Sequence, residues 1–269
     1  MIALSIIIVS YNAQADLERC LQSLVQHPPR ATHEVIVVDN GSTDESVDVA
    51  RRFPIVRVIE TGRNGGFSVG NNIGIRASQG VNLLLLNSDT IVPPGAVDGL
   101  LTCLALHPEV AIVGPRLVDG QGRAEWSFGR MLTPVREWRR QRLMRRLERH
   151  HASTTAWVEA ETRREQRPDW VSGACLLVRR ADAEAVGLLD ERYFMYTEDV
   201  DFCAAVRARG RQVLFTPAVE IIHLRGRSAA TASAATRGAY ERSHLAFYQK
   251  HQPLMVPLLR LYRLVRGRA

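Results

Sequence analysis

Three short apolar runs limit what this chain can fold into: residues 6–9 in SIIIVS, 35–38 in VIVVDN and 83–86 in LLLLN. Each is too short for an ordinary helix and too uniformly apolar for a strand with one wet face. Each therefore reads as a strand buried on both sides, as in a parallel sheet. Between the first two, residues 13 to 26 put Leu17, Leu21, Leu24 and Val25 at helical spacing. Between the second and third, residues 43 to 52 read as a helix behind the capping candidates Ser42 and Thr43. Strand and helix in alternation predict βαβ units with right-handed crossovers, an α/β fold with a mostly parallel central sheet.

The 269 residues, 46% of them hydrophobic and 23% charged, suffice for one large core, so a single α/β domain with additions is expected. Cys20, Cys103, Cys175 and Cys203 lie far apart, with no CxxC pair to suggest zinc or redox chemistry, and read as reduced core residues of a cytosolic protein. The opening MIALSIIIVS runs straight into the first strand without a basic leader. No stretch reaches the roughly 18 apolar residues of a membrane span. The expectation is a cytoplasmic protein, soluble or peripheral at a membrane.

The net charge of +7 is concentrated in two segments. Residues 130 to 168 carry eleven arginines against five glutamates, and residues 250 to 269 carry five basic groups and no acid. In the first segment Val135, Trp138, Leu143, Met144 and Leu147 interleave with arginines as in a basic amphipathic helix. In the second, Leu258, Leu261, Tyr262 and Val265 fall at helical spacing. Both patterns suit an anionic membrane surface, and both suit a solvated helix packed on the domain by a narrow stripe. No nucleic-acid motif accompanies the arginines, and no nucleic-acid partner is expected.

Asp39, Asp89 and Asp199 each stand where an apolar run gives way to a loop, the edge at which open α/β sheets bind ligands. Asp39 opens the turn Asn40-Gly41-Ser42, where it can cap the turn or accept from a pyrimidine N–H or a ribose hydroxyl. In RNGGFSVGNNIG, glycines crowd with Asn64, Asn71 and Asn72. They permit either close backbone approach to a phosphate at the next helix N-terminus or simply a tight connection. Asn87-Ser88-Asp89 ends the leucine-rich strand, Pro93-Pro94 opens the next helix, and Asp89 can give oxygen to a hard cation on a diphosphate. His223, after VEII, is a second candidate ligand, or a core or turn histidine. In YFMYTEDVDF, Tyr193 to Tyr196 form an aromatic approach, Thr197 can cap, and Glu198-Asp199 open a helix whose dipole favours carboxylates. Aromatic rings there also suit the apolar face of a sugar.

Taken in order, SIIIVSYN, VIVVDNGSTD, RNGGFSVGNN, LLLLNSDT, WVSGACLLVRR, YFMYTEDVDF and IIHLRGRS resemble the inverting family 2 glycosyltransferases of GT-A fold. Within that family the chain is most similar to the rhamnosyltransferase and galactofuranosyltransferase branch. The resemblance spans about residues 2 to 230. It implies a domain over 1–230, with a nucleotide-sugar half to about 115, a basic helical insertion at about 130–168, an acceptor half at about 169–230, and helices over 231–269. It also implies that Ser10, Tyr11, Asp39 and Asn64, with Asn71, Asn87 and Ser88, bind a dTDP- or UDP-linked sugar. Asp89 and His223 would bind Mg²⁺ or Mn²⁺, Asp199 would be the base beside Glu198, and Trp170, Gly173 and Tyr196 would line the sugar or acceptor pocket. Arg225, Arg227 and Ser228 would then meet the leaving diphosphate. One departure is that the DxD of many relatives is here Asn87-Ser88-Asp89. The implied reaction moves a sugar, rhamnose first, to a saccharide or a polyprenyl-diphosphate saccharide in bacterial surface-polysaccharide synthesis. A nucleotidyltransferase fits less well, because no glycine-rich basic loop follows the first strand. An inactive sugar-binding scaffold does not call for all three aspartates.

Overall fold

The three apolar runs are strands β1 (Leu4–Ser10), β2 (His33–Asp39) and β4 (Asn82–Asn87) of a computed structural model that describes residues 1–224 and 234–265. With β3 (Val56–Glu60) they form a parallel block in the order β3-β2-β1-β4. The chain leaves β1 toward β2 on one side and returns to β4 on the other. The carboxyl ends of β1 and β4 are thus the switch point where such sheets open a crevice. Alternate residues of the strands enter opposite cores. Ile6, Ile8, Leu84 and Leu86 pack with α1 (Gln14–Gln26), α2 (Ser46–Arg51) and α4 (Ala96–Leu106), whereas Ile7, Leu83 and Leu85 pack with α3 (Phe67–Ala77) and α8 (Glu198–Ala208). With both faces covered, truncating Ile8 or Leu84 to alanine costs about 2–5 kcal/mol.

Beyond β4 the sheet changes direction. It continues through β9 (Cys175–Arg179), β6 (Val110–Val118), β10 (Gln212–His223) and β5 (Thr90–Ile91). Strand β9 runs antiparallel to both neighbours, the exception within a mostly parallel sheet that also ends in the antiparallel β5. The reversal has a positional effect. β9 begins at the edge where β4 ends, and the Ala174 carbonyl accepts from Asn87 N–H, so Ser172 and Gly173 stand beside the crevice. A ribbon of β7 (Phe128–Gly129) and β8 (Trp170–Val171) leads into that approach.

Several local expectations shift. Helix α2 begins at Ser46, because Ser42 Oγ and the Thr43 N–H are engaged by the backbone and side chain of Asn12. Helix α4 begins at Ala96, after Gly95 takes a left-handed φ of 72°, so Pro93-Pro94 precede it in the connection. Val25 faces solvent while Leu17, Leu21 and Leu24 are buried. All four cysteines are free thiols. Burial pushes Cys20 and Cys203 up to about 12, which leaves them inert.

The basic segment folds as α5 (Pro134–Glu148) and α6 (Ala152–Glu161), followed after β9 by the short α7 (Arg180–Ala185). Thr133 caps α5 and Pro134 occupies its first turn. Its stripe is weaker than the spacing suggested. Val135 and Trp138 are exposed, Leu143, Met144 and Leu147 are half-buried, and the buried residue of the helix is Glu137. Glu137 accepts from His244 Nε2 at 2.6 Å and from the Tyr248 hydroxyl, both on α9 (Ala234–His251). The other end of α9 is held by Asp201 of α8, which is buried and bonded to Lys250 Nζ at 2.8 Å, His251 Nε2 at 2.5 Å and the Tyr193 hydroxyl. Helix α10 (Val256–Val265) follows, with Leu258 and Leu261 exposed; the side chains of Tyr262 and Val265 lie outside the described residues.

Candidate active site

At the carboxyl ends of β1 and β2, Ser10 and Asp39 are paired across the strands and both buried. Asp39 Oδ2 accepts from Gly41 N–H at 3.0 Å and Ser42 N–H at 2.9 Å, the turn-capping role. Its Oδ1 is buried and meets no partner among the described residues, and the same is true of Ser10 Oγ, Asn40 Oδ1, Ser68 Oγ and Asn71 Oδ1. Asn40 Nδ2 bonds Gly66 O, and a side chain at Gly70 would strike Val9 and Asn40, so these orphans gather where β1, β2 and the start of α3 meet. Buried polar groups are rarely left unpaired, and five in one crevice mark a ligand site rich in donors and acceptors. Tyr11 stands in solvent beside them, and Asn64 shapes the rim by accepting from Gly66 N–H at 3.0 Å.

Gly66 has a φ of 89°, and a Cβ there would lie 2.3 Å from Phe194 O. Phe67 N–H donates to that same carbonyl at 2.7 Å. The glycine loop that opens α3 is therefore seated directly on the loop that leads into Glu198 and Asp199.

Past the end of β4, Asn87 and Ser88 are half-buried, and the two-residue β5 pairs Thr90 with His223. That pairing brings His223 Nε2 to 3.2 Å from Asp89 Oδ1, so the strand-end reading of His223 holds geometrically. Its other nitrogen, Nδ1, lies 3.1 Å from Glu125 Oε2. Burial alone would lower the imidazole pKa, but hydrogen bonds to Asp89 and Glu125 raise it to about 9. An oxygen and a nitrogen at this spacing fit two neighbouring positions on a Mg²⁺ or Mn²⁺ ion, with Glu125 in the supporting position that fixes a ligand histidine. Among the described residues no group of three His, Cys, Asp or Glu side chains could hold a metal, so a bound ion needs further ligands from a substrate. Arg225, Arg227 and Ser228, expected to meet the diphosphate, lie outside the described residues.

Asp199 is partly exposed in the first turn of α8, with Oδ2 accepting from Gly173 N–H at 2.9 Å and Oδ1 from Val200 N–H at 2.8 Å. A Cβ on Gly173 would come within 3.3 Å of Asp199 Cβ, so the glycine lets its N–H approach the carboxylate. Burial raises the Asp199 carboxyl above the ordinary range, against the lowering pull of the two N–H groups and of Arg140. Glu198 is raised well above its ordinary range, first by burial and then by Asp199, and its Oε2 has no partner among the described residues. The pair thus divides into a carboxylate held by two N–H groups and a buried carboxyl whose neutral form burial favours. Thr197 is not the expected cap. It and Tyr196 are both left-handed, with φ of 66° and 71°, a cost of about 1–3 kcal/mol each that aims the acids into the crevice.

Two aromatic expectations fail here. Tyr193 is fully buried with its hydroxyl on Asp201. Trp170, only 3% exposed, turns its indole N–H to Arg130 O and packs in the core, because β8 pairing with β7 fixes that face inward. Tyr196 alone of the three offers an exposed ring, edge-on to Tyr240 at 5.5 Å. Arg140 of α5 lies over the Trp170 ring at 5.2 Å, within the field of Asp199, so the basic helix sends one guanidinium toward that carboxylate. Glu125, Ser127, Arg140 and Asp201 escaped the sequence reading. Glu125 and Ser127 left one trace, polar residues alternating with Trp126 and Phe128. A groove of about 370 Å³ between α3, the 186–191 turn and α8 contains none of Asp39, Asp89 or Asp199.

The model for glycosyl transferase family 2 matches residues 5–165, and the chain belongs to this family. It is 32% identical over 257 residues to the N-acetylglucosaminyl-diphospho-decaprenol L-rhamnosyltransferase of Mycobacterium tuberculosis, covering 91% of this chain and 83% of that protein. It is 27% identical over 226 residues to the low-salt glycan biosynthesis hexosyltransferase Agl10 of Haloferax volcanii, covering 82% of this chain and 66% of that protein. Its backbone resembles GalNAc-T7 with UDP, GalNAc and Mn²⁺ (TM-score 0.65, 18% identity, 90% of this chain and 47% of that one). It also resembles the Pyrobaculum calidifontis mannosyltransferase PcManGT with GDP-Man and Mn²⁺ (TM-score 0.64, 18% identity, 96% and 68%). The fold is that of the GT-A glycosyltransferases, and the chain is a sugar-transferring enzyme.

Proposed function

We propose that the enzyme transfers L-rhamnose, with inversion, from a dTDP- or UDP-linked donor to a hydroxyl of an N-acetylglucosaminyl-diphospho-polyprenol. The observation that carries this reading is the Asp199 carboxylate, held by two backbone N–H groups, one of them from Gly173, next to the Ala174 carbonyl that bonds Asn87 at the end of β4. In the displacement, the acceptor oxygen forms a bond to the anomeric carbon as the bond to the diphosphate oxygen breaks. The hydroxyl proton passes to Asp199, and the nucleoside diphosphate leaves on the opposite face. A raised carboxyl makes Asp199 a stronger base than an exposed aspartate, and neutral Glu198 adds no second charge beside it. Ser10, Asp39 and Asn71 hold the nucleoside, with Asn64, Asn87 and Ser88 along the donor. Asp89 and His223 hold Mg²⁺ or Mn²⁺, which when bound neutralises charge on the diphosphate. The division into a nucleotide half to about 115 and an acceptor half at about 169–230 belongs to this proposal.

No helix among the described residues is long and apolar enough to cross a membrane. The proposed lipid-linked acceptor instead meets the protein at its basic face. Leu254 is 90% exposed, Leu258 and Leu261 are exposed on α10, and Trp138 and Val135 are exposed on α5 among arginines. The bond from Gln252 to Leu132 O brings the two segments together, and this composite face suits peripheral attachment to anionic lipid.

Incubating the protein with dTDP-L-rhamnose, a short-chain N-acetylglucosaminyl-diphospho-polyprenol and Mn²⁺ is expected to add one deoxyhexose to the acceptor, read by mass spectrometry. Transfer of another sugar in preference to L-rhamnose from its dTDP- and UDP-linked forms overturns the donor. Release of pyrophosphate in place of nucleoside diphosphate overturns the reaction class.

A further inference from the structure

The segment that joins the two ends of the crevice carries a buried hydroxyl with no assigned role. Trp126 and Phe128 pack their rings together at 4.6 Å on one side of this segment, which leaves Glu125 and Ser127 as the alternate positions. Glu125 reaches His223, beside Asp89. Two residues on, about 7 Å along an extended chain, the Ser127 carbonyl accepts from Ser172 N–H at 2.7 Å. The next residue, Gly173, donates to Asp199. One short stretch of backbone therefore spans from the diphosphate end to the base.

In a displacement with inversion the sugar ring lies between its leaving diphosphate and the base, the span that this segment bridges. Ser127 is buried, and its Oγ meets no partner among the described residues. Thr197 Oγ1 and Glu198 Oε2, close to Asp199 in the chain, are likewise buried and unpartnered. Orphaned buried hydroxyls are uncommon because each costs free energy unless a ligand or water completes it.

We propose that Ser127 Oγ hydrogen-bonds a hydroxyl of the transferred sugar and thereby sets which sugar the enzyme accepts. The assignment rests on the proposed roles of Asp89, His223 and Asp199. A site built to bond a hydroxyl discriminates against a sugar that lacks it, because the protein group is then left unpaired.

The test first selects, with the wild-type enzyme, the fastest donor among dTDP- and UDP-linked sugars, so an error about rhamnose is exposed separately. Wild type, Ser127→Ala and Ser127→Thr are then compared on that donor and on analogues each missing one sugar hydroxyl, with calorimetric affinity for the free nucleoside diphosphate as control. Ser127→Ala is expected to lose about tenfold in kcat/KM on the intact donor. It should match wild type on one deoxy analogue and bind the free nucleoside diphosphate as tightly. Ser127→Thr, which keeps the hydroxyl, is expected to restore selectivity. Equal losses on every analogue, or none on any, overturn the assignment. A loss of nucleoside diphosphate affinity puts the nucleotide rather than the sugar over Ser127, which overturns it too while leaving sugar transfer intact.

Discussion

The two ends of the crevice are built differently. At the end proposed to hold the nucleotide, Ser10 and Asp39 sit on regular parallel strands, and their free oxygens follow from strand geometry. At the end proposed to meet the acceptor, Asp199 depends on an N–H from Gly173, two consecutive left-handed residues and a carbonyl seated against Gly66. One end is prepared by secondary structure, the other by tertiary contacts. Binding and chemistry should therefore separate under mutation.

The sharpest break in that comparison is Asp199→Asn. Transfer should fall roughly 10²–10⁴-fold in steady-state assays while calorimetric affinity for the nucleoside diphosphate is preserved. Near-wild-type turnover would remove Asp199 from the role of base. Next is Asp89→Ala, which should lower donor affinity about 100-fold in Mn²⁺, to the level wild type shows in chelator. An equal loss with and without chelator argues for a purely structural Asp89. Third is Gly66→Ala, which introduces a Cβ against Phe194 O at a φ that L-residues resist. A stability loss of about 1–3 kcal/mol in urea melts should accompany slower transfer, coupling the two ends through one glycine.

The smallest effect is on pH dependence. Because Glu198 is raised in the folded state, the folded protein binds more protons than the unfolded chain from about pH 4, the ordinary Glu value, up to Glu198's folded value. Stability contributed by this site is present below that window and falls as pH rises through it. Glu198→Gln should therefore raise Tm at neutral and alkaline pH, with the gain vanishing near pH 4. A gain of constant size across pH would mean that Glu198 is not held neutral.

The N-terminal half was legible because its signals are local. Runs such as LLLLN can be little other than buried strands, and the polar residue ending each one marks the sheet edge. Asp39 and Asp89 could be read for that reason. His223 could be placed only as an alternative, since its approach to Asp89 depends on a two-residue strand pairing. Glu125 is 98 residues from His223 and Glu137 is 107 from His244, separations at which no periodicity speaks. The resemblance alone places Trp170 in the sugar or acceptor pocket, and the β7–β8 ribbon turns its ring inward. The glycine-rich RNGGF allows either close approach to a ligand phosphate or a tight connection, and the contact seen is internal, Gly66 against Phe194 O.

The clasp of Asp201 on Lys250 and His251 also bears on the order of events in folding. Contacts of long sequence separation form late, because the chain must close large loops before they are rewarded. The β1–β2 pairing that sets Ser10 beside Asp39 joins residues 29 apart, whereas the helix bearing Asp199 waits for partners 49 and 50 residues away. A refolding molecule should therefore regain its grip on nucleotide before it regains turnover, and the interval between the two records when α9 docks.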